Sequence, residues 1–330
     1  MILITGATGF VGSAVVRQLL ELGEELKVLV RASSDRSNLT GLDVEFAVGD
    51  LTDQASLKRA LAGCKALFHV AADYRLWARD PSTMYKANVE GSRDIVRLAS
   101  EAGVSKIVYT SSVATLGIVP GGVGDEETPV HINKMIGHYK RSKYLAEQAV
   151  QELFDQQGAP VVIVNPSAPV GPRDIKPTPT GKMIVDAVNG KIPAYMDTGL
   201  NISHVDDIAS GHILAWQKGT AGERYILGGE NLELLDILTL IAELCDGKPP
   251  IMKMPFSVIL PIAHIAEAWT RLTGGDDPFV CVDGVKMARK KMFFSSEKAA
   301  RELGYRSRSA RQALVDAIEW FKNNGYIIKK

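Results

Sequence analysis

The sequence predicts an α/β protein, a Rossmann-type doubly wound parallel sheet with a smaller C-terminal α/β lobe. Three observations predict it. Short β-rich runs alternate with longer helical patterns through the first half, which implies parallel strands joined by crossover helices. Runs such as Val28-Leu29-Val30 and Val161-Val162-Ile163-Val164 are continuously apolar, as strands covered on both faces are. A glycine-rich turn, Gly6-Ala7-Thr8-Gly9-Phe10-Val11-Gly12, follows the first run and opens the first helix.

In chain order, strands are predicted at 2–5, 26–30, 44–48, 66–70 and 106–110, with helices at 11–22 and 89–102. A long helix is expected over 131–157; Gly158 and Pro160 stop it and deliver the chain to the strand beginning at Val161. The stretch from Asn165 to Thr180 carries Pro166, Pro169, Pro172, Pro177 and Pro179, which excludes a continuous helix or a central strand. It marks the crossing into the second lobe. Residues 1–165 are therefore expected to form the nucleotide domain, with 203–220 returning to it, and 166–202 and 221–330 the substrate lobe. Later helical patterns fall at 181–189, 205–217, 232–245, 297–303 and 309–323.

Hydrophobic residues make up 46% and charged residues 23%, which fits a globular protein. Lys plus Arg equals Asp plus Glu at 38 each, so no global field draws the chain to nucleic acid or to an anionic membrane. Cys64, Cys245 and Cys281 match neither a disulfide framework nor a metal-ligand spacing and read as buried thiols of a reducing compartment, with no metal expected. Met1 leads straight into the first strand with no basic or cleavable leader, which places the protein in the cytoplasm. The apolar stretch from Met254 to Trp269 is broken by Pro255, Pro261, His264 and Glu267. It is too interrupted to span a bilayer, although peripheral contact with lipid stays open beside the plainer reading of a packed helix.

The glycine turn lets the backbone approach a pyrophosphate, whose charge the free N–H groups at the helix start stabilise. Gly6, Thr8, Gly9, Phe10, Val11 and Gly12 are its candidate residues. At the end of the second strand, where an acidic side chain would take a ribose hydroxyl, the sequence has Arg31, followed by Ser33, Ser34 and Arg36. A guanidinium there suits a 2′-phosphate, so NADP(H) is the expected cofactor and NAD the alternative. Asp50 and Leu51 end the third strand, and Ala71 and Ala72 follow the fourth. Both positions lie at carboxyl ends of strands, where such sheets bind ligands. Asp50 reads either as an adenine-side contact or as the cap of the next helix. His69 reads as a packing residue.

Tyr139 and Lys143 stand four apart on the long helix and so share a face; Tyr326 and Lys330 repeat the spacing without a glycine loop. A tyrosine with a pKa of ~10 is a poor base, but an ammonium ~5 Å away would draw it toward the phenolate by about two units. Thr110, Ser111 and Ser112 end the fifth strand, and Ser112 is placed to hold a reacting oxygen. Asn88 is a candidate support for the active-site backbone or a bound water. Tyr74, Trp77, Ser167, Met183 and Tyr195 are candidate substrate contacts, with ordinary core packing the alternative for Trp77 and Met183.

Together Thr5-Gly6-x-x-Gly9-x-x-Gly12, Gly49-Asp50-Leu51, Ser111-Ser112, Tyr139-x-x-x-Lys143 and Ser203-His204-Val205-Asp206-Asp207 resemble the extended short-chain dehydrogenase/reductase superfamily along nearly the whole chain. The resemblance implies that Ser112, Tyr139 and Lys143 are catalytic and that Asn165, Pro166 and Ser167 touch the nicotinamide end of the cofactor. It also implies a homodimer through the helices near 89–102 and 139–157. The segments 69–77, 136–143, 174–181 and 287–294 are similar to the hopanoid-associated sugar epimerases, relatives of dihydroflavonol 4-reductases. That likeness implies a small-molecule or lipid-linked polyol or sugar substrate. Three readings stay open: an NADPH-dependent carbonyl reductase, an epimerase that retains its NAD, and a dinucleotide-sensing protein without catalysis.

Overall fold

The computed structural model describes residues 1–275 and 278–327. The chain starts as β1 (Ile2–Thr5), α1 (Phe10–Glu21), β2 (Leu26–Val30), β3 (Glu45–Val48), α2 (Gln54–Leu61), β4 (Ala66–His69), α3 (Ser82–Tyr85), α4 (Gly91–Glu101), β5 (Lys106–Thr110), α5 (Gly137–Gln157) and β6 (Val161–Pro166). It continues through β7 (Ala168–Val170), α6 (Pro179–Val188), β8 (Ala194–Tyr195), β9 (Gly199–His204), α7 (Val205–Lys218), β10 (Arg224–Leu227), β11 (Glu230–Glu233) and α8 (Leu234–Leu244). The final elements are β12 (Met252–Lys253), α9 (Phe256–Thr273), α10 (Val282–Met287), α11 (Glu297–Leu303) and α12 (Ala310–Asn323).

Seven parallel strands form the main sheet in the order β3-β2-β1-β4-β5-β6-β10. Strand order reverses between β1 and β4, which opens a crevice at the carboxyl ends of the strands. Both faces are covered, as the apolar runs predict. One core joins Ile2, Ile4, Val28, Val108 and Val162 to Val15 and Leu19 of α1 and to Ile208 of α7. The other joins Leu3, Leu67, Ile107 and Ile163 to Leu57, Ile95 and Val150 of α2, α4 and α5. Each such side chain withdrawn from water contributes ~1.5–3 kcal/mol, so the crevice residues sit on a rigid frame.

The second lobe has a three-stranded sheet, β11-β9-β7, with β9 parallel to β7 and antiparallel to β11. Its core packs Ile184 of α6, Ile237 and Ile241 of α8, and Leu314, Ile318 and Phe321 of α12. A separate corner is built by α9 and α10, where Ala263, Val282 and Val285 are buried together.

Several expectations need correction. The segment after 220 is not wholly second-lobe: β10 is an edge strand of the main sheet, and Ala299 and Leu303 of α11 pack in the core against α1 and α7. The long helix begins at Gly137, not at 131. Gly137 has φ +77°, which no helical turn continues, and residues 132–134 form a short 3-10 turn before it. The helix expected at 89–102 is preceded by α3 and a π-helical turn at Lys86–Glu90, so the helical path starts earlier. Of the three free cysteines only Cys64 is buried. The stretch around Pro261 is one helix, α9, whose inward side is small (Ala263, Ala266, Thr270). Its outward side leaves Val258, Ile262, Ile265, Trp269 and Leu272 exposed. Among the described residues no helix is long and apolar enough to cross a membrane.

Candidate active site

The glycine turn connects β1 to α1 and leaves no room for side chains. A Cβ on Gly6, whose φ is +71°, would lie 2.6 Å from the backbone nitrogen of Ala71. A Cβ on Gly12 would lie 2.1 Å from the carbonyl oxygen of Gly6, and one on Gly9 3.2 Å from that oxygen. The start of α1 therefore packs directly on the turn, with Gly9 as its N-cap and no side chain capping the first amides. Thr8, Phe10 and Val11 complete the turn and the first helical residues. Asn38 donates from its side-chain amide to the carbonyls of Thr8 and Arg173, tying the turn to the second lobe.

On the opposite wall, Ala71 and Ala72 leave β4 toward the turn, and the Ala71 N–H donates to the Thr5 hydroxyl. His69 is buried between that same hydroxyl, at 2.6 Å, and the Ser92 hydroxyl, at 2.9 Å. Burial drives its pKa down to about 3, so it is a neutral structural residue. After β2, Arg31 and Ser34 close a turn: the Arg31 N–H donates to the Ser34 hydroxyl and the Ser34 N–H to the Arg31 carbonyl. The Arg31 charge reaches Asp50 and helps hold that carboxyl below its usual range, behind the leading cause, a hydrogen bond from the Thr52 amide. Arg36 stacks on Phe46, 4.7 Å from the ring centre. Asp50 does not cap α2. Asp53 does, accepting from the amides of Ala55 and Ser56, while Leu51 lies under Gly91, 2.9 Å from where its Cβ would be.

At the other end of the crevice β5 and α5 meet. The Ser112 side chain stands beside Tyr139 and favours its ionised form, and Ser112 accepts from the Ala114 amide. Lys143 is buried and donates to the Thr110 carbonyl at 2.8 Å, with its ammonium 5.1 Å from the Tyr109 ring centre. The Thr110 hydroxyl is joined to His212, whose pKa burial lowers to about 4.

The expected pull of Lys143 on Tyr139 is absent. Burial raises the phenol's pKa, and the Ser112 side chain only partly offsets it. Lys143 is spent on Thr110, and desolvation lowers its own pKa to about 8. Tyr139 is thus held as a neutral phenol, a proton donor.

Asn88 is also not free for a ligand. It accepts from the Asp73 amide and donates to the Asp73 carbonyl and the Ser142 hydroxyl, clamping the loop after β4 onto α5. Of the substrate candidates, Tyr74 is exposed, and Trp77 has a buried indole nitrogen with no partner. Met183 and Tyr195 are partly buried and pack against the second-lobe core. Tyr326 donates to the Ile175 carbonyl, and Lys330 lies outside the described residues.

Sequence reasoning missed Glu147. It is buried at 1% exposure, one turn beyond Lys143, where it accepts from Thr115 and Asn165 and pairs with Arg224 at 3.1 Å. The i, i+4, i+8 series Tyr139, Lys143, Glu147 was a visible signal.

A dinucleotide fits these residues. The first amides of α1 have no side-chain cap, on a turn packed so closely that Gly6 and Gly12 admit no Cβ, and the hydroxyls of Ser111 and Ser167 are buried without a partner among the described residues. Unsatisfied buried hydroxyls cost ~1–3 kcal/mol each, which a bound ligand relieves. Pro166 ends β6 beside Ser167, whose amide donates to Leu227.

Residues 2–228 match the NAD dependent epimerase/dehydratase family. The chain is 46% identical to a protein of Synechocystis sp. provisionally named a dihydroflavonol 4-reductase, over 98% of this chain and 95% of that one. It is 34% identical to sterol demethylase protein B of Methylococcus capsulatus, over 98% and 99%. The crystal structure of gox2253 superposes with a TM-score of 0.89 at 54% identity, over 99% of both chains. With its glycine cradle and its Ser112/Tyr139/Lys143 group, the chain belongs to the NAD dependent epimerase/dehydratase family, and it is an enzyme that works with a nicotinamide dinucleotide.

Proposed function

We propose that the protein is an NADPH-dependent reductase of a carbonyl on a sugar-like or polyol substrate, including a lipid-linked one, and that Ser112, Tyr139 and Lys143 are its catalytic residues. The observation that carries this reading is the meeting of Ser112, at the end of β5, with Tyr139 and the buried Lys143 of α5, where burial keeps the phenol protonated, because a reduction needs an acid at the carbonyl oxygen. The Ser112 hydroxyl holds that oxygen, and Tyr139 delivers the proton to it. Lys143 positions the Thr110 backbone beneath them and lies within the same buried group. The dinucleotide supplies the hydride when bound. Gly6, Gly9 and Gly12 with the start of α1 would hold its pyrophosphate, Ser111, Pro166 and Ser167 its nicotinamide end, and Arg31 and Arg36 a 2′-phosphate.

The relatives' names support a reduction, since one carries a reductase name across nearly the whole chain. The outward apolar side of α9 supports peripheral contact with lipid, and the exposed residues of α4 and α5 supply a face for a homodimer. We place the enzyme in the cytoplasm and assign substrate selection to β7, α6, α8 to α10 and the loop after β4. The test is absorbance of NADPH against a panel of hydroxyaldehydes with alkyl tails. Tyr139→Phe should lower turnover by about 10²–10⁴ while leaving NADPH binding intact, and unchanged turnover removes the assignment. An epimerase is the second reading, favoured by the family match. Purified protein carrying one NAD per chain and turning over without added cofactor would select it.

A further inference from the structure

Beside the helix that carries Tyr139 lies a cleft of about 510 Å³ lined by Ile136, Phe256, Leu260, Lys286, Arg289 and Lys290. Its lining divides into two kinds. Ile136, Phe256 and Leu260 form an apolar wall from the N-cap of α5 and the first turns of α9. Lys286, Arg289 and Lys290, from the end of α10 and the turn after it, form a cationic one. None of these three has a carboxylate partner among the described residues, and Arg289 is fixed over Phe256, 4.5 Å from the ring centre.

A fourth cation stands behind them. Lys140 of α5 is only 7% exposed, and among the described residues its ammonium meets nothing stronger than the Met292 sulfur at 3.7 Å. Desolvation lowers its pKa to about 8, and the charge of Lys290 adds to that. Burying a cation without an anion is costly, and bringing cations together adds to the cost. An arriving anion reverses both terms. The cleft adjoins the start of that helix: Ile136, on its wall, is the N-cap of α5, and Tyr139 follows three residues later in the chain.

We propose that this cleft is the subsite for a phosphate-bearing amphiphile, with the phosphate held by Lys286, Arg289 and Lys290 and adjoining apolar atoms on Ile136, Phe256 and Leu260. The proposal rests on the reductase reading for its use, since it names the class of substrate that would be led to Tyr139. Its ligand chemistry stands apart from that reading: a phosphate ester joined to an alkyl or ring body. Arginine suits the task through paired hydrogen bonds to phosphate oxygens, and an exposed phosphate site of this kind is sensitive to salt.

Calorimetric titration of the NADPH-loaded protein with n-decyl phosphate, n-decyl alcohol and inorganic phosphate tests it. Decyl phosphate should bind at least tenfold more tightly than either of the others. Replacing Lys286, Arg289 and Lys290 by Ala together should weaken decyl phosphate at least tenfold, whereas Lys58→Ala on α2 changes nothing. Phe256→Ala should weaken decyl phosphate and spare inorganic phosphate. Lys140→Met, which removes a buried charge, should weaken decyl phosphate at least threefold with the fold intact. Inorganic phosphate binding as tightly as decyl phosphate overturns the apolar half, and a triple variant within twofold of the parent overturns the whole. Failure here with Tyr139-dependent turnover retained leaves the reductase reading standing; tight, cation-dependent binding with turnover indifferent to Tyr139→Phe fells that reading alone.

Discussion

Gly12→Ala isolates the glycine cradle from every other feature of the site. The added Cβ would sit 2.1 Å from the Gly6 carbonyl oxygen, 2.7 Å from its carbon and 3.1 Å from Cα of Ala7. Ordinary contact begins near 3.4 Å, and no atom in this trio is the end of a flexible side chain. The first turn of α1 must therefore retreat by about 1 Å from the loop, an overpacking that costs ~1–3 kcal/mol in stability. The same retreat moves the first α1 amides away from a pyrophosphate. Losing one charge-assisted hydrogen bond at ~1.5–3 kcal/mol weakens dinucleotide binding by about 10- to 150-fold.

Nicotinamide fluorescence titration measures the affinity, and urea unfolding measures stability separately. Gly23→Ala is the control. It also replaces a glycine of positive φ, +76°, but its Cβ meets nothing within 4 Å, so it should cost about 1 kcal/mol of stability and no affinity. A folded Gly12→Ala protein that binds dinucleotide with unchanged affinity refutes the assignment of this turn.

Arg31→Ala should weaken NADP(H) at least tenfold and leave NAD(H) within twofold, read by the same titration; equal losses for both remove Arg31 from the 2′-phosphate. Glu147→Ala strips the partners of Arg224, Asn165 and Thr115 at once. About 3 kcal/mol of stability should go, by analogy with a buried pair losing one member, and a smaller loss in urea unfolding would mean that water replaces the carboxylate. Acid should destabilise the fold through His69 and His212, whose pKa values in the native state lie at about 3 and about 4. Both are depressed below the ordinary value of ~6.5, so the unfolded chain binds more protons. Their stabilisation is complete above pH ~6.5 and drains as pH falls toward 4 and then 3, by up to ~1.4 kcal/mol per pH unit for each histidine. His69→Asn should flatten the urea-midpoint profile over that range, and an unchanged slope would sink the argument.

The fold was legible because its signals are local and repeated. Apolar runs such as Val161 to Val164 needed burial on two faces, and the parallel seven-stranded sheet supplies it. Gly6 and Gly12 stand where the turn packs on its own backbone, against Ala71 and against the Gly6 carbonyl, with no room for a Cβ. Boundaries set by a single residue were less legible. Gly137 reads as a tolerable helix residue until its φ of +77° is seen, and that angle shortens α5 by six residues relative to a start at 131. The return of β10 and α11 to the main sheet has no local signal, since an apolar strand looks alike in either lobe.

The charge state of the site shows most clearly what spacing leaves undecided. A spacing of four from Tyr139 to Lys143 fixes a shared face but not where each polar atom finds its partner. Coulomb attraction at ~5 Å argues for a depressed phenol pKa; burial argues for a raised one, and burial wins because the Lys143 ammonium is drawn to the Thr110 carbonyl. That reversal changes the chemistry expected of the group. A phenolate accepts a proton and suits oxidation, whereas a buried phenol beside Ser112 is poised to give one up. A single-turnover reduction should therefore slow as pH rises through the raised Tyr139 pKa and hold steady below it, while a rate that climbs with pH across neutrality would mean that Tyr139 works from its ionised form.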